Sequence, residues 1–152
     1  MTLHTTLAEK ISEMPELYEK GDESTARLLL KSGYLDSPQA LTVEDVEQAL
    51  ERHPELADRW LERGHDQRLS GGWGIECDHG QYKVQSYAGG RALCEKKKLH
   101  AVAEFIVRYV RFIGDMLSRH RARGFRITQS HMERSAKIAR NPNWWSASPG
   151  YL

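Results

Sequence analysis

Residues 71–117 read GGWGIECDHGQYKVQSYAGGRALCEKKKLHAVAEFIVRYVRFIGDML, and this stretch decides the fold. Residues 73–77 favour a strand, and Asp78-His79-Gly80-Gln81 supplies turn residues. Residues 82–87 favour a second strand, with Tyr82, Val84 and Ser86 alternating with Lys83, Gln85 and Tyr87. A further turn at Ala88-Gly89-Gly90-Arg91 leads to a short third strand at 92–94. A two-stranded hairpin is marginal in water, so the third strand, or a homodimer partner, is expected to complete the sheet.

The rest of the stretch predicts one long helix over 99–117. Leu99, Val102, Ile106, Tyr109, Val110, Ile113, Met116 and Leu117 recur at intervals of three and four, and Phe105 and Phe112 widen the stripe. Glu104–Arg108, Arg111–Asp115 and Asp115–Arg119 are spaced for ion pairs on the other side. A stripe this wide needs cover from two neighbours, the hairpin and the helices that precede it.

Those preceding helices are short and acidic. Leu3, Leu7, Ile11 and Met14 form a helical series that Pro15 ends or bends. A second helix is expected over 22–32, capped by Asp22 and closed by Gly33 in a left-handed conformation. Asp36-Ser37-Pro38 reads as a loop. Thr42 is placed to cap a third helix, with Glu44 and Asp45 in the first turn, where the helix dipole favours negative charge. His53-Pro54 breaks that helix and starts a fourth, carrying Leu56, Ala57, Trp60 and Leu61 as far as Gly64. The expected architecture is α+β. It has acidic N-terminal helices, a small antiparallel sheet of two or three strands, a long amphipathic helix packed on it, and a basic C-terminal extension. Residues 1–126 are expected to form one compact domain, and 127–152 an extension that is partly helical, then irregular.

At 152 residues with 28% charged and 39% hydrophobic side chains, the chain suits a single globular domain. No run approaches the roughly 20 apolar residues that span a bilayer. The N-terminus lacks a basic, apolar leader pattern, so a cytoplasmic location is expected. Cys77 and Cys94, the only cysteines, are expected to be free thiols. The net charge of +1 conceals an asymmetry. Residues 1–68 carry 15 acidic against 8 Lys/Arg side chains, while residues 119–152 carry 7 Lys/Arg against one acid. The basic end either folds over the acidic helices or offers a surface to an acidic partner.

Several constellations bear on chemistry. Cys77, His79, Cys94 and His100 contain zinc-type ligands, but a C-x-H then C-x5-H spacing fits no established zinc pattern. His65, Asp66, Cys77 and His79 are the groups a small hydrolase would use; neither cysteine sits at a strand-to-helix elbow. The glycine pairs lack the Lys and Ser/Thr of a phosphate loop. Arg119, Arg121, Arg123 and Arg126, with Trp144 and Trp145, combine cations and stacking rings as single-stranded nucleic-acid binders do, though basic residues at a helix C-terminus also complement its dipole. No metal or cofactor is expected.

Gly72-Trp73-Gly74-Ile75-Glu76, Tyr82-Lys83-Val84, Tyr87, Gly89 and Ala101-Val102-Ala103-Glu104-Phe105-Ile106 together resemble the small bacterial immunity-type proteins of toxin–immunity systems. The resemblance covers about a third of the chain and rests on framework positions. It implies a non-catalytic protein that neutralises a cognate toxin by binding it. A basic toxin domain, such as a nuclease cleft, would then meet the acidic helices. The candidate contacts are Glu44, Asp45, Glu51, Glu55, Asp58 and Glu62, with Trp60 either an anchor or core. The hydrolase and the nucleic-acid module stand behind this reading as alternatives.

Overall fold

The computed structural model describes residues 6–21, 24–65, 72–87 and 89–122. The chain runs α1 (Leu7–Ser12), α2 (Met14–Lys20), α3 (Thr25–Ser32), two 3-10 turns (Tyr34–Asp36 and Pro38–Ala40), α4 (Val43–Arg52), α5 (Glu55–His65), β1 (Trp73–Asp78), β2 (Gln81–Ser86), β3 (Leu93–Glu95) and α6 (Lys98–Ala122). The fold is α+β, with the long helix α6 packed between the sheet and the N-terminal helices.

Local chemistry explains most boundaries. The Thr6, Ser24 and Thr42 side chains each accept a backbone N–H three residues on, at 3.2 Å, and so cap α1, α3 and α4. Ser24, not Asp22, is the cap of α3, and Asp22 lies outside the described residues. Gly33 closes α3 at φ 86°, where a side chain would be strained. Pro15 bends the N-terminal series and also opens α2, because the first turn of a helix tolerates the missing N–H. Helix α5 continues one residue past Gly64; an internal glycine costs a helix only about 1 kcal/mol.

The sheet is an antiparallel meander in the order β1-β2-β3. Ile75, Val84 and Leu93 are register partners and share the face turned to α6. The third strand is therefore supplied by the chain itself.

Helix α6 is the centre of the core. Ala101, Val102, Phe105, Ile106, Tyr109 and Val110 are buried to within 1% exposure, on more of its circumference than one sheet can cover. Val46 and Leu50 of α4 and Leu56 and Trp60 of α5 close the opposite side. Trp60 and Phe105 meet edge-on at 6.2 Å between ring centres, and Trp60 and Tyr109 at 5.6 Å. The Trp60 indole N–H donates to the Ser12 carbonyl at 2.9 Å and ties α5 to α1. Gly114 leaves room for the Tyr34 ring, which lies where a Cβ would stand.

Arg63 is a buried charge that periodicity did not single out. It is 8% exposed, and its guanidinium lies 4.7 Å from the Tyr18 ring centre and 6.0 Å from that of Tyr109. It also donates to the Thr25 hydroxyl. Ring faces and hydroxyls thus offset part of the cost of removing the cation from water, and the contact joins α2, α3, α5 and α6.

Candidate partner-binding surface

The capping of α4 by Thr42 places Glu44 and Asp45 at the positive end of the helix dipole, both exposed. Glu51 lies seven residues beyond Glu44, two turns along the same exposed side. On α5, Glu55, Asp58 and Glu62 fall three and four residues apart and form one exposed stripe, while Leu56, Ala57, Trp60 and Arg63 are buried.

The structure divides the acids of the helical half into two sets. The Arg52 guanidinium holds Glu9, Arg59 holds Glu19, and Lys20 holds Glu16 at 2.6 Å. Asp58 belongs with these, because Lys98 at the start of α6 reaches it at 2.5 Å. That hydrogen bond is the main reason the Lys98 ammonium is held above its ordinary range. Glu55 has only the exposed His53 ring at 3.6 Å. Among the described residues, Glu44, Asp45, Glu51 and Glu62 have no ion-pair partner. Their charge is left for solvent or for another molecule.

Trp60 does not belong to this surface. It is fully buried, with its N–H committed to Ser12, so of its two expected roles the structure assigns core. Leu56, Ala57 and Arg63 of α5 are buried on the same side.

A second acidic group, which one-dimensional spacing cannot show, surrounds His100. Its Nδ1 donates to Glu47 of α4 at 3.0 Å, and its Nε2 lies 3.9 Å from both Glu95 of β3 and Glu104 of α6. Glu104 also accepts from Arg108 at 3.3 Å, the one of the three expected i, i+4 pairs on α6 that appears among the ion pairs here. The hydrogen bond to Glu47, aided by the charges of all three carboxylates, raises the His100 pKa against the opposing effect of burial. Arg108 in turn lies 5.2 Å from the Trp73 ring centre.

The thiols and imidazoles of the alternative readings are scattered. Cys77 and Cys94 are free and exposed. Cys77 pairs with Tyr82 while Cys94 pairs with Lys83, so the two thiols project from opposite faces of the sheet. His79 sits in the hairpin turn at φ 50°, 95% exposed, 3.3 Å from Asp78. His65 is the last residue of α5, and Asp66 lies outside the described residues. Among the described residues no group of three His, Cys, Asp or Glu side chains is arranged to hold a metal. Arg119 is exposed near the end of α6 and Arg121 lies in the same helix. Arg123, Arg126, Trp144, Trp145 and the extension at 127–152 lie outside the described residues. No described helix is long and apolar enough to cross a membrane.

No protein-family model, no curated protein and no solved structure matches this chain.

Proposed function

We propose that this chain is a protein-binding module of the immunity type, acting without chemistry of its own to occupy or lock a cationic partner such as a basic toxin domain. The observation that supports this is the unpaired set Glu44, Asp45, Glu51 and Glu62, exposed on two helices where the fold engages Asp58 with Lys98 and Glu47 with His100. Complementary charge raises the rate of encounter and rejects anionic competitors. Glu55 extends the same set, since the pair with His53 is exposed on both sides and weak. Asp58 contributes less than spacing suggests, because a partner cation would have to displace Lys98.

The test is co-purification from the source cell, followed by affinity and inhibition measurements on the captured protein. The expected partner carries a basic surface, and the variant E44K/E51K/E62K binds it at least roughly tenfold more weakly at low salt, with the difference shrinking as salt rises. Unaltered affinity and inhibition in that variant, with its circular dichroism unchanged, would reject the acidic-face model.

A further inference from the structure

Strand β3 is weakly anchored. It has three residues, and none of its side chains is buried. Its ladder consists of three register pairs, Leu93 with Val84, Cys94 with Lys83 and Glu95 with Tyr82. On its N-terminal side Gly89 and Gly90 stand at φ 99° and 107°, and nothing lies within 4 Å of the point where a Cβ would be on either. A short edge strand beside two unpacked glycines opens with little loss of buried surface. Leu93 packs in part against the core, and Glu95 ties the strand to α6, its carboxylate 3.9 Å from His100 Nε2.

The two ring nitrogens of His100 serve different elements. Nδ1 donates to Glu47 of α4 at 3.0 Å, a bond that a neutral imidazole keeps. Nε2 faces Glu95 of β3 and Glu104 of α6, both at 3.9 Å. With a proton on Nε2, a cation stands between these carboxylates. Without it, a lone pair faces both, and three carboxylates converge with Arg108 as the neighbouring cation on Glu104. The other charges nearby offset each other, since Asp58 of α5 is held by Lys98. From β2, the phenol of Tyr82 stands in register with Glu95. Glu104 has little freedom to withdraw, being one turn from His100 on the same helix and bound to Arg108 at 3.3 Å. Glu47 keeps its bond. Glu95 stands on the strand that can move.

We propose that His100 is a proton-operated latch on β3: with both ring nitrogens protonated it holds the strand against α6, and loss of the Nε2 proton lets β3 swing out about Gly89 and Gly90. Release uncovers the edge of β2 from Tyr82 to Val84, a row of backbone groups that then lacks its ladder partners. The hydrogen bond to Glu47, followed by the charges of Glu47, Glu95 and Glu104, raises the His100 pKa against burial, so release falls above the ordinary imidazole range. The device is independent of the acidic face of α4 and α5 and operates without a partner.

The test is hydrogen–deuterium exchange of the full chain at about pH 5.5 and pH 8.0, either side of the ordinary imidazole value. Rates are expressed as protection factors, so that the intrinsic pH dependence of exchange cancels. Amides of the β2–β3 ladder are expected to lose protection about threefold or more at the higher pH, the scale of a partly exposed ion pair, while Ile75 and Cys77 of β1 keep theirs. His100→Gln cannot gain the proton, and Glu95→Gln removes the charge from the strand. Each should make the protection of β3 independent of pH. Three results would each overturn the proposal: β3 protection that does not change with pH, an equal loss from β1, or a wild-type pH response in either variant.

Discussion

Replacing Trp60 by Ala tests the centre of the architecture. The side chain is fully buried, makes two edge-on aromatic contacts, and gives its N–H to the Ser12 carbonyl. Truncating a buried Trp costs about 3–5 kcal/mol in lost transfer free energy and residual cavity. The aromatic geometry adds about 0.5–1.5 kcal/mol per pair, and the hydrogen bond about 1 kcal/mol. These contributions overlap, so the expected loss is roughly 4–5 kcal/mol, against a total stability of about 5–15 kcal/mol for a domain. Trp60→Phe keeps most of the ring but removes the donor, and is expected to cost roughly 1–2 kcal/mol, with the Ser12 carbonyl left unpaired. Urea denaturation followed by far-ultraviolet circular dichroism measures both, because the signal is dominated by the helices that Trp60 joins. A loss below about 1 kcal/mol in Trp60→Ala would refute the reasoning. It would mean that the indole is not a core group, and that its role as a surface anchor must be restored.

Three further outcomes are expected. Ile106→Asp should abolish the cooperative melt, since it places an unpaired carboxylate at a position with no exposure; a folded variant would mean that this face of α6 is open. Gly114→Ala should destabilise by about 1–3 kcal/mol, because the new Cβ would stand 2.5 Å from Tyr34 Cε1 and the packed ring must move; an unchanged melting temperature would show that ring to be loosely held. His100 has a pKa raised in the folded state by Glu47, then Glu95 and Glu104, with Arg108 the nearby cation on Glu104. The stabilisation from its protonated form is therefore complete below the unfolded value near 6.5 and is lost as pH rises through the folded value. Wild type should exceed His100→Gln in urea midpoint at pH 5.5 and lose that margin by pH 8.5; a margin that grows with pH would reverse the assignment.

The features legible in the sequence are those set by neighbours along the chain. The stripe from Leu99 to Leu117 needed only a period of 3.6, and the structure extends that helix by a turn beyond it. Thr42 caps α4 because its hydroxyl reaches an N–H three residues away. The break at His53-Pro54 and the left-handed Gly33 are likewise local. Where local reasoning failed, two local signals competed. Pro15 marks the end of one helix and the start of the next, and Ser24 displaced the more conspicuous Asp22 as a cap. The charged surface was half legible: all six carboxylates proposed as contacts are exposed, but Lys98, forty positions away in sequence, takes Asp58.

By itself, then, the sequence determined the long helix, α3 to α5, the hairpin and its continuation, and most of the residues each buries, because hydrogen-bonding pattern and apolar period act over a few residues; it did not separate α2 from α1 or place Arg63 inside. Only the tertiary structure decided that Trp60 is interior, that His100 stands among three carboxylates from three elements, and that the two thiols face apart. Each of those depends on which residues the closed chain brings within a few ångströms of one another. Contacts across forty or fifty positions leave no periodic trace in the order of the residues.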